Sequence, residues 1–145
     1  PNWFGCQWHP LEWAQFCNLL FGPETSLIYA GAPWDEPLMP AVIAALPRFD
    51  IVPLTRDRPG LVYAVMQRCR AHVGAAGGLG IVAAGLRVPT ILLMPYKLER
   101  MRGSFGPPEM MAAKLYADVP FSDPVSTVRQ CFEMFDVETV IRSDA

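Results

Sequence analysis

Charge is scarce in this chain. Lys and Arg number 12, Asp and Glu 14, and charged residues make up 18% of 145, below the ~25% usual for a globular domain. A net charge of −2 gives no electrostatic case for nucleic acid or an anionic membrane surface. Histidine is rarer still, with only His9 and His72. The four cysteines, Cys6, Cys17, Cys69 and Cys131, form no C-x-x-C pair. Neither histidine completes a ligand cluster with them, so no metal site is expected. The cysteines read as free, mostly structural thiols of a reducing compartment. No signal peptide is visible, and a cytoplasmic location is expected. No apolar run approaches the ~18 residues of a membrane helix. Spacing also yields no Ser/His/Asp or Cys/His constellation, so no catalytic residue is assigned. Repeats and low-complexity segments are absent. The chain opens on Pro1 and not on methionine, as an excised domain or a processed product would.

What is present is apolar. Residues of that class make up 52% of the chain, and its length suits one domain with a sizeable core. Helix signals run over Pro10 to Leu20, with Leu11, Phe16, Leu19 and Leu20 as the apolar face and Gly22-Pro23 as the stop. Strands are expected at Ser26–Gly31, Asp50–Leu54, Ala71–Ala75 and Pro89–Pro95. Pro53 inside the second marks an edge or a bulge. Helices are expected near Leu38–Leu46, Pro59–Arg70, from Gly78 to Arg87, and over Pro108–Ala117. A last helix starts at Pro124, capped by Asp123, and a tail of undefined state follows. "VPFS" before it reads as a short extended piece.

Strand and helix alternate at short intervals. That pattern predicts an α/β fold, a Rossmann-like three-layer sandwich on a mainly parallel sheet of about four to six strands. Ligands of such sheets sit outside the carboxyl ends of the strands. Three turns then matter: Gly31 to Glu36, Gly74 to Gly80, and the loop after Pro95.

The middle turn lies in "AHVGAAGGLGIVAAGLRVPTILLMP", Ala71 to Pro95. A helix start offers unpaired N–H groups and a partial positive charge, and glycine lets a phosphate come close. Gly74, Gly77, Gly78 and Gly80 stand where this would work, with the Leu79 amide among them. The same glycines would equally serve tight helix-on-sheet packing. Residues 78–83 also fit G-x-G-x-x-G/A, but after three strands and not at the first strand–helix turn where that fingerprint belongs. In the first turn Asp35 and Glu36 are candidates for ribose hydroxyls or for a helix cap, and Trp34 for stacking on a base or sugar. Lys97, Arg100 and Arg102 could meet a diphosphate, or form a solvated charged loop with Glu99. His72 reads as a core or face residue of its strand. Met110 and Met111 read as core filler or as part of an interface with a missing domain.

The stretch "VGAAGGLGIVAAGLRVPT", Val73 to Thr90, resembles a block of glycosyltransferase family 9, the heptosyltransferase-like enzymes. That block reads V-G-x-D-S-G-x-x-H-x-A-A-x-x-G-x-P-T and aligns without a gap. "CQWHPLEWAQF" is similar to the family's lysine followed by a W-P helix start, and "LIYAGAPWDE" to its strand, glycine turn and acid. The likeness spans most of Pro1 to Pro95. It implies the carboxyl-terminal, donor-binding half of a B-type glycosyltransferase with two Rossmann-like domains. It further implies a nucleotide-diphosphate sugar as substrate, no cofactor or metal, and an acceptor domain or partner chain outside these residues. Backbone amides at helix N-termini would stabilise the diphosphate leaving group. Gly74 and Gly78 match family glycines, and Gly31, Asp35 or Glu36 fall at the turn facing the ribose. Ala76, Gly77 and Ile81 stand where the family has aspartate, serine and histidine, and Gln7 falls near its lysine. These replacements also fit a second expectation, a non-catalytic module of the same fold that serves structure or interaction, with an oligomer as one outcome.

Overall fold

A computed structural model describes residues 8–31, 36–95 and 105–143. Helix α1, Pro10–Leu20, leads into strand β1, Leu27–Ala30. Then come α2 (Met39–Ala44), β2 (Ile51–Leu54), α3 (Pro59–Gln67), β3 (His72–Ala75), α4 (Gly78–Gly85) and β4 (Thr90–Met94). The chain finishes with α5 (Pro108–Ala112), β5 (Tyr116–Pro120), α6 (Pro124–Met134) and α7 (Val137–Val140).

All strand pairs are parallel. Among the described residues they form two sheets, β1–β2 and β3–β4–β5. The architecture is α/β and Rossmann-like, as the alternation predicted, but the expected single sheet is divided between β1 and β3. The central strand β4 is buried at every position, and its ILLM run is apolar on both faces, which is how a strand covered from both sides reads. Side chains alternate across it. Ile91 and Leu93 join Trp8, Phe16, Leu20, Val119 and Phe135 on the α1/α6 face, whereas Leu92 and Met94 join Ala84, Met110 and Tyr116 on the other. Helix α2 shares the first face: Val42 and Leu46 pack with Ala14 of α1 and with Leu27 and Tyr29 of β1. Helix α3 shares the second, where Met66 packs with Ala83 of α4.

Several local details follow from simple chemistry. In α1 the buried stripe is Ala14, Phe16 and Leu20, flanked by Trp13 and Cys17. The expected face placed Leu11 and Leu19 inward, yet they are 76% and 42% exposed. Positions 13, 16, 17 and 20 keep the i, i+3, i+4, i+7 spacing, and the aromatic ring of Trp13 outweighs a lone leucine at the helix start. Trp8 locks the entry to α1. Its indole Nε1–H donates to the Ser122 carbonyl at 2.9 Å, and its ring centroid lies 4.4 Å from that of Phe121.

Pro53 sits in β2 opposite Tyr29. The Leu27 N–H donates to the Asp50 carbonyl at 2.9 Å, so parallel-ladder alternation turns Val52 and Leu54 toward β1 and Pro53 outward. The proline therefore costs no ladder bond, and β2 is an edge strand, as expected.

The helix expected over Pro108–Ala117 is shorter. It ends at Ala112, Lys114 turns left-handed at φ 57°, and Tyr116 begins β5. The side chains of Tyr116, Ala117 and Val119 find buried places on alternate sides of the sheet, which a helix would not provide. Asp123 caps α6 as expected, its carboxylate accepting from the Ser126 N–H at 2.9 Å. Asp136 caps α7 in the same way through Thr139 N–H at 3.2 Å, giving the tail a structure that its composition did not reveal.

Candidate functional site

Of the residues singled out above, Gly31, Glu36 and the glycine turn lie at or past the carboxyl ends of β1 and β3. Gly31 follows β1 directly and is half-buried. Trp34, Asp35 and Lys97 lie outside the described residues, as do Arg100 and Arg102.

Glu36 is tied down. Its Oε1 accepts from Arg56 Nε at 2.7 Å and from Thr55 Oγ1 at 2.9 Å, and its Oε2 accepts from Arg56 NH2 at 2.9 Å. The fork of Arg56 thus grips the carboxylate on both oxygens, a geometry lysine cannot reproduce. Hydrogen bonds from Arg56 and then Thr55 hold the carboxyl below its ordinary range, and Glu36 in turn raises Arg56. The clamp joins the turn after β1 to the turn after β2. It does not cap α2, whose N-cap is Leu38 with no side-chain bond. A carboxylate offers about four acceptor positions. Three are filled here, which leaves one on Oε2 for a hydroxyl. Thr55 and Arg56 were not singled out in the sequence. A threonine and an arginine directly after a strand end are the signal that was there to use.

The glycine turn divides into two parts. The Ala76 N–H donates to the Leu93 carbonyl at 2.9 Å, fixing the exit from β3. Gly77 is extended at φ 178° and forms the N-cap of α4. The first helical bond is donated by the Ile81 N–H to the Gly77 carbonyl at 3.2 Å. The N–H groups of Gly78, Leu79 and Gly80 precede it and have no intrahelical acceptor. A Cβ on Gly80 would fall 2.2 Å from Leu92 Cδ2, whereas one on Gly78 would meet nothing within 4 Å and one on Gly77 only the Ala75 carbonyl at 3.8 Å. Gly80, expected to share in the phosphate cradle, is instead a packing glycine, buried with no room for a Cβ against Leu92, whereas Gly77 and Gly78 face open, exposed space. Gly74 lies 3.4 Å, measured from its built Cβ, from the ring of His72. The Leu79 side chain packs toward α3 and α4, so only its backbone is available to a ligand.

Known proteins give no help with this arrangement. The chain matches no family model, no curated protein and no solved structure.

Other groups in the fold are polar but inward. The Tyr116 hydroxyl donates to Asp118 Oδ1 at 2.7 Å in a buried part of β5. Burial first, then the bond to Asp118, raises the phenol. His72 is pushed down to about 4 by burial, so it is neutral near pH 7. Among the described residues no three His, Cys, Asp or Glu side chains gather as metal ligands, and no helix is long and apolar enough to cross a membrane. The remaining large feature is a cavity of about 550 Å³ between β1 and β3. None of the glycine-turn residues, nor Gly31 or Glu36, lines it.

The chemistry available at the carboxyl ends is thus mostly backbone. Open amides at the start of α4 can donate to anionic oxygens, aided by the helix dipole. The clamped Glu36 can accept a hydroxyl.

Proposed function

We propose that this domain binds a nucleotide-diphosphate sugar, as the donor half of a glycosyltransferase. The observation that supports the reading is the split in the glycine turn. Packing explains Gly80 but not Gly77 or Gly78, and two glycines without a packing reason at a helix start suit close approach of a diphosphate. Glu36, at the turn after β1, keeps one acceptor for a ribose hydroxyl. In this reading Gly31, Trp34, Asp35 and Lys97 complete the donor contacts, and the catalytic base belongs to the acceptor domain.

The test is an amide-shift titration with ADP-, UDP- and GDP-sugars. Shifts should centre on Gly77, Gly78 and Leu79, and Gly78→Val should abolish them by filling the open space. No shift with any donor at millimolar concentration overturns the proposal.

One observation favours the other reading, a non-catalytic interaction module. Ala76 and the 42%-exposed Ile81 put apolar groups beside the open amides. Light scattering separates the two. A stable oligomer whose melting no nucleotide sugar changes supports the module.

A further inference from the structure

The division of the sheet has a topological explanation. Helices α1 and α2 lie on one face, packed together through Ala14, Val42 and Leu46. Strand β2 follows β1 through α2, and β1 follows α1. Crossovers between parallel strands are right-handed in nearly every known case. With α2 on this face, the step from β1 to β2 goes in one direction along the sheet. A strand feeding α1 on the same face would have to stand one place back from β1, on the side away from β2. That place lies between β1 and β3.

Among the described residues there is room there. The ~550 Å³ cavity is lined by Ile28 and Ala30 of β1 and by His72 and Val73 of β3. Val62, Val65 and Met66 of α3 close one side, and Phe21 and Ile141 close the other. Both facing strand edges are also unpaired among the described residues. Leu27 N–H bonds toward β2, which turns the N–H and C=O of Ile28 and Ala30 away from it. His72 N–H donates to Pro89 and Ala76 N–H to Leu93, both toward β4, which turns the backbone groups of Val73 and Ala75 away from that strand. Two rows of backbone donors and acceptors thus border one groove, apolar along Ile28, Val62, Met66 and Val73 and polar where Glu24, Arg68 and Arg142 line it. Ile28 is 40% exposed and Ala75 is exposed as well, so both edges stand open as templates for pairing, and a parallel strand supplies partners to both rows at once.

The entry to α1 has the matching geometry. Trp8 is fixed beside Phe121 and Ser122, past the carboxyl end of β5. A strand running parallel to the others would finish at that same end of the sheet, and a loop could carry it to Trp8. The seven residues before Trp8 can span at most ~25 Å. Crossing from the cavity to β5 takes about three strand spacings, roughly 15 Å.

We propose that the cavity between β1 and β3 is the seat of a sixth strand. It is an extended, apolar segment on the amino-terminal side of Trp8, running parallel to both neighbours and completing one sheet in the order β2–β1–new strand–β3–β4–β5. Its side chains alternate between the α3 side and the Phe21/Ile141 side, so its central positions are hydrophobic on both faces, as Ile91 to Met94 of β4 are. This inference rests on topology and does not depend on the nucleotide-sugar reading.

The experiment adds the strand Thr-Val-Ile-Val-Thr directly before Pro1 and follows amide hydrogen exchange residue by residue. Exchange at Ile28, Ala30, Val73 and Ala75 should slow at least tenfold relative to the chain that begins at Pro1, and the melting temperature should rise. A control extension, Thr-Pro-Ile-Pro-Thr, lacks two N–H groups and should protect none of the four. Should the extended chain aggregate, the same pentapeptide is added in trans to the chain that begins at Pro1 and read at the same amides. Protection that appears equally with the control, or at none of the four amides in either format, overturns the proposal. So does finding these amides already protected without any added strand, since β1 would then pair with β3 directly.

Discussion

Gly80 in α4 rests against Leu92 in β4, so closely that a Cβ on the glycine would stand 2.2 Å from Leu92 Cδ2. This contact lets the helix lie down on the sheet and points its N-terminus past the end of β3. It sets up a contrast within one turn. Gly80→Ala should destabilise the domain by about 1–3 kcal/mol, because the leucine has to move within a packed core. Gly78→Ala, with open space around it, should change stability by less than about 0.5 kcal/mol. Urea unfolding of the two variants is the measurement. Equal losses would mean that the whole turn is scaffold.

His72 carries a pH dependence. Burial holds it down to about 4 from its ordinary 6.5. Above pH 6.5 the ring is neutral in both folded and unfolded chains and contributes no proton linkage. As pH falls below 6.5 the unfolded chain takes up a proton that the folded one refuses, so stability drops until about pH 4 and then levels. The full shift corresponds to about 3 kcal/mol, and because the ring is only partly enclosed we expect on the order of 2 kcal/mol. Chemical unfolding at pH 7 and pH 4.5 should show His72→Gln losing less stability on acidification than the parent. Identical losses would remove His72 as the cause.

The Glu36–Arg56 clamp titrates with the opposite sign. The carboxyl is lowered first by its bonds from Arg56, so its stabilisation is present above the unfolded carboxylate range and fades as pH falls through the folded value. Carbon-detected titration should place Glu36 below the usual glutamate range and return it toward that range in Arg56→Met. The Arg56→Lys variant should restore only part of the shift, because lysine cannot bond both oxygens.

Two left-handed residues mark places where glycine should do better. Arg87 has φ 63° and Lys114 φ 57°, each just past a helix end. Arg87→Gly and Lys114→Gly should each stabilise by about 0.5–1 kcal/mol in thermal unfolding. The ion pair between Arg87 and Glu109, 3.1 Å long but with both side chains more than half exposed, is too solvated to reverse that sign.

The thiols should differ in reactivity. Burial pushes Cys17 and Cys131 up to about 12, and raises Cys69 as well. In a Cys6→Ser background, Cys69 should react first with a disulfide reagent at pH 8. Cys131, fully buried, should react only at the rate of unfolding.

Much of the fold was legible because its signals are local. Pro10 and Pro124 at helix starts, Asp123 as a cap, and the apolar ILLM run of β4 each act within a few residues. The alternation of strand and helix then leads to a parallel α/β sheet through general rules of connection. The end of α5 was not legible in this way. Met110, Met111 and Leu115 suit a helix as well as a strand, and only the buried places offered to Tyr116 and Val119 end it at Ala112.

The candidate site was legible in outline and not in detail. The glycine-rich sequence named its own turn, but could not say which glycine faces a leucine and which faces open space. That depends on how closely α4 approaches β4, a distance no spacing in the sequence encodes. The partner of Glu36 lies twenty residues away in Arg56, and only the parallel pairing of β1 with β2 brings the two turns together. The sequence by itself determined the elements, their order and the apolar character of the central strand, because these follow from neighbours along the chain. Tertiary structure alone decided the split of the glycine turn, the clamp on Glu36 and the open place between β1 and β3, because each arises where segments distant in sequence meet and compete for the same space.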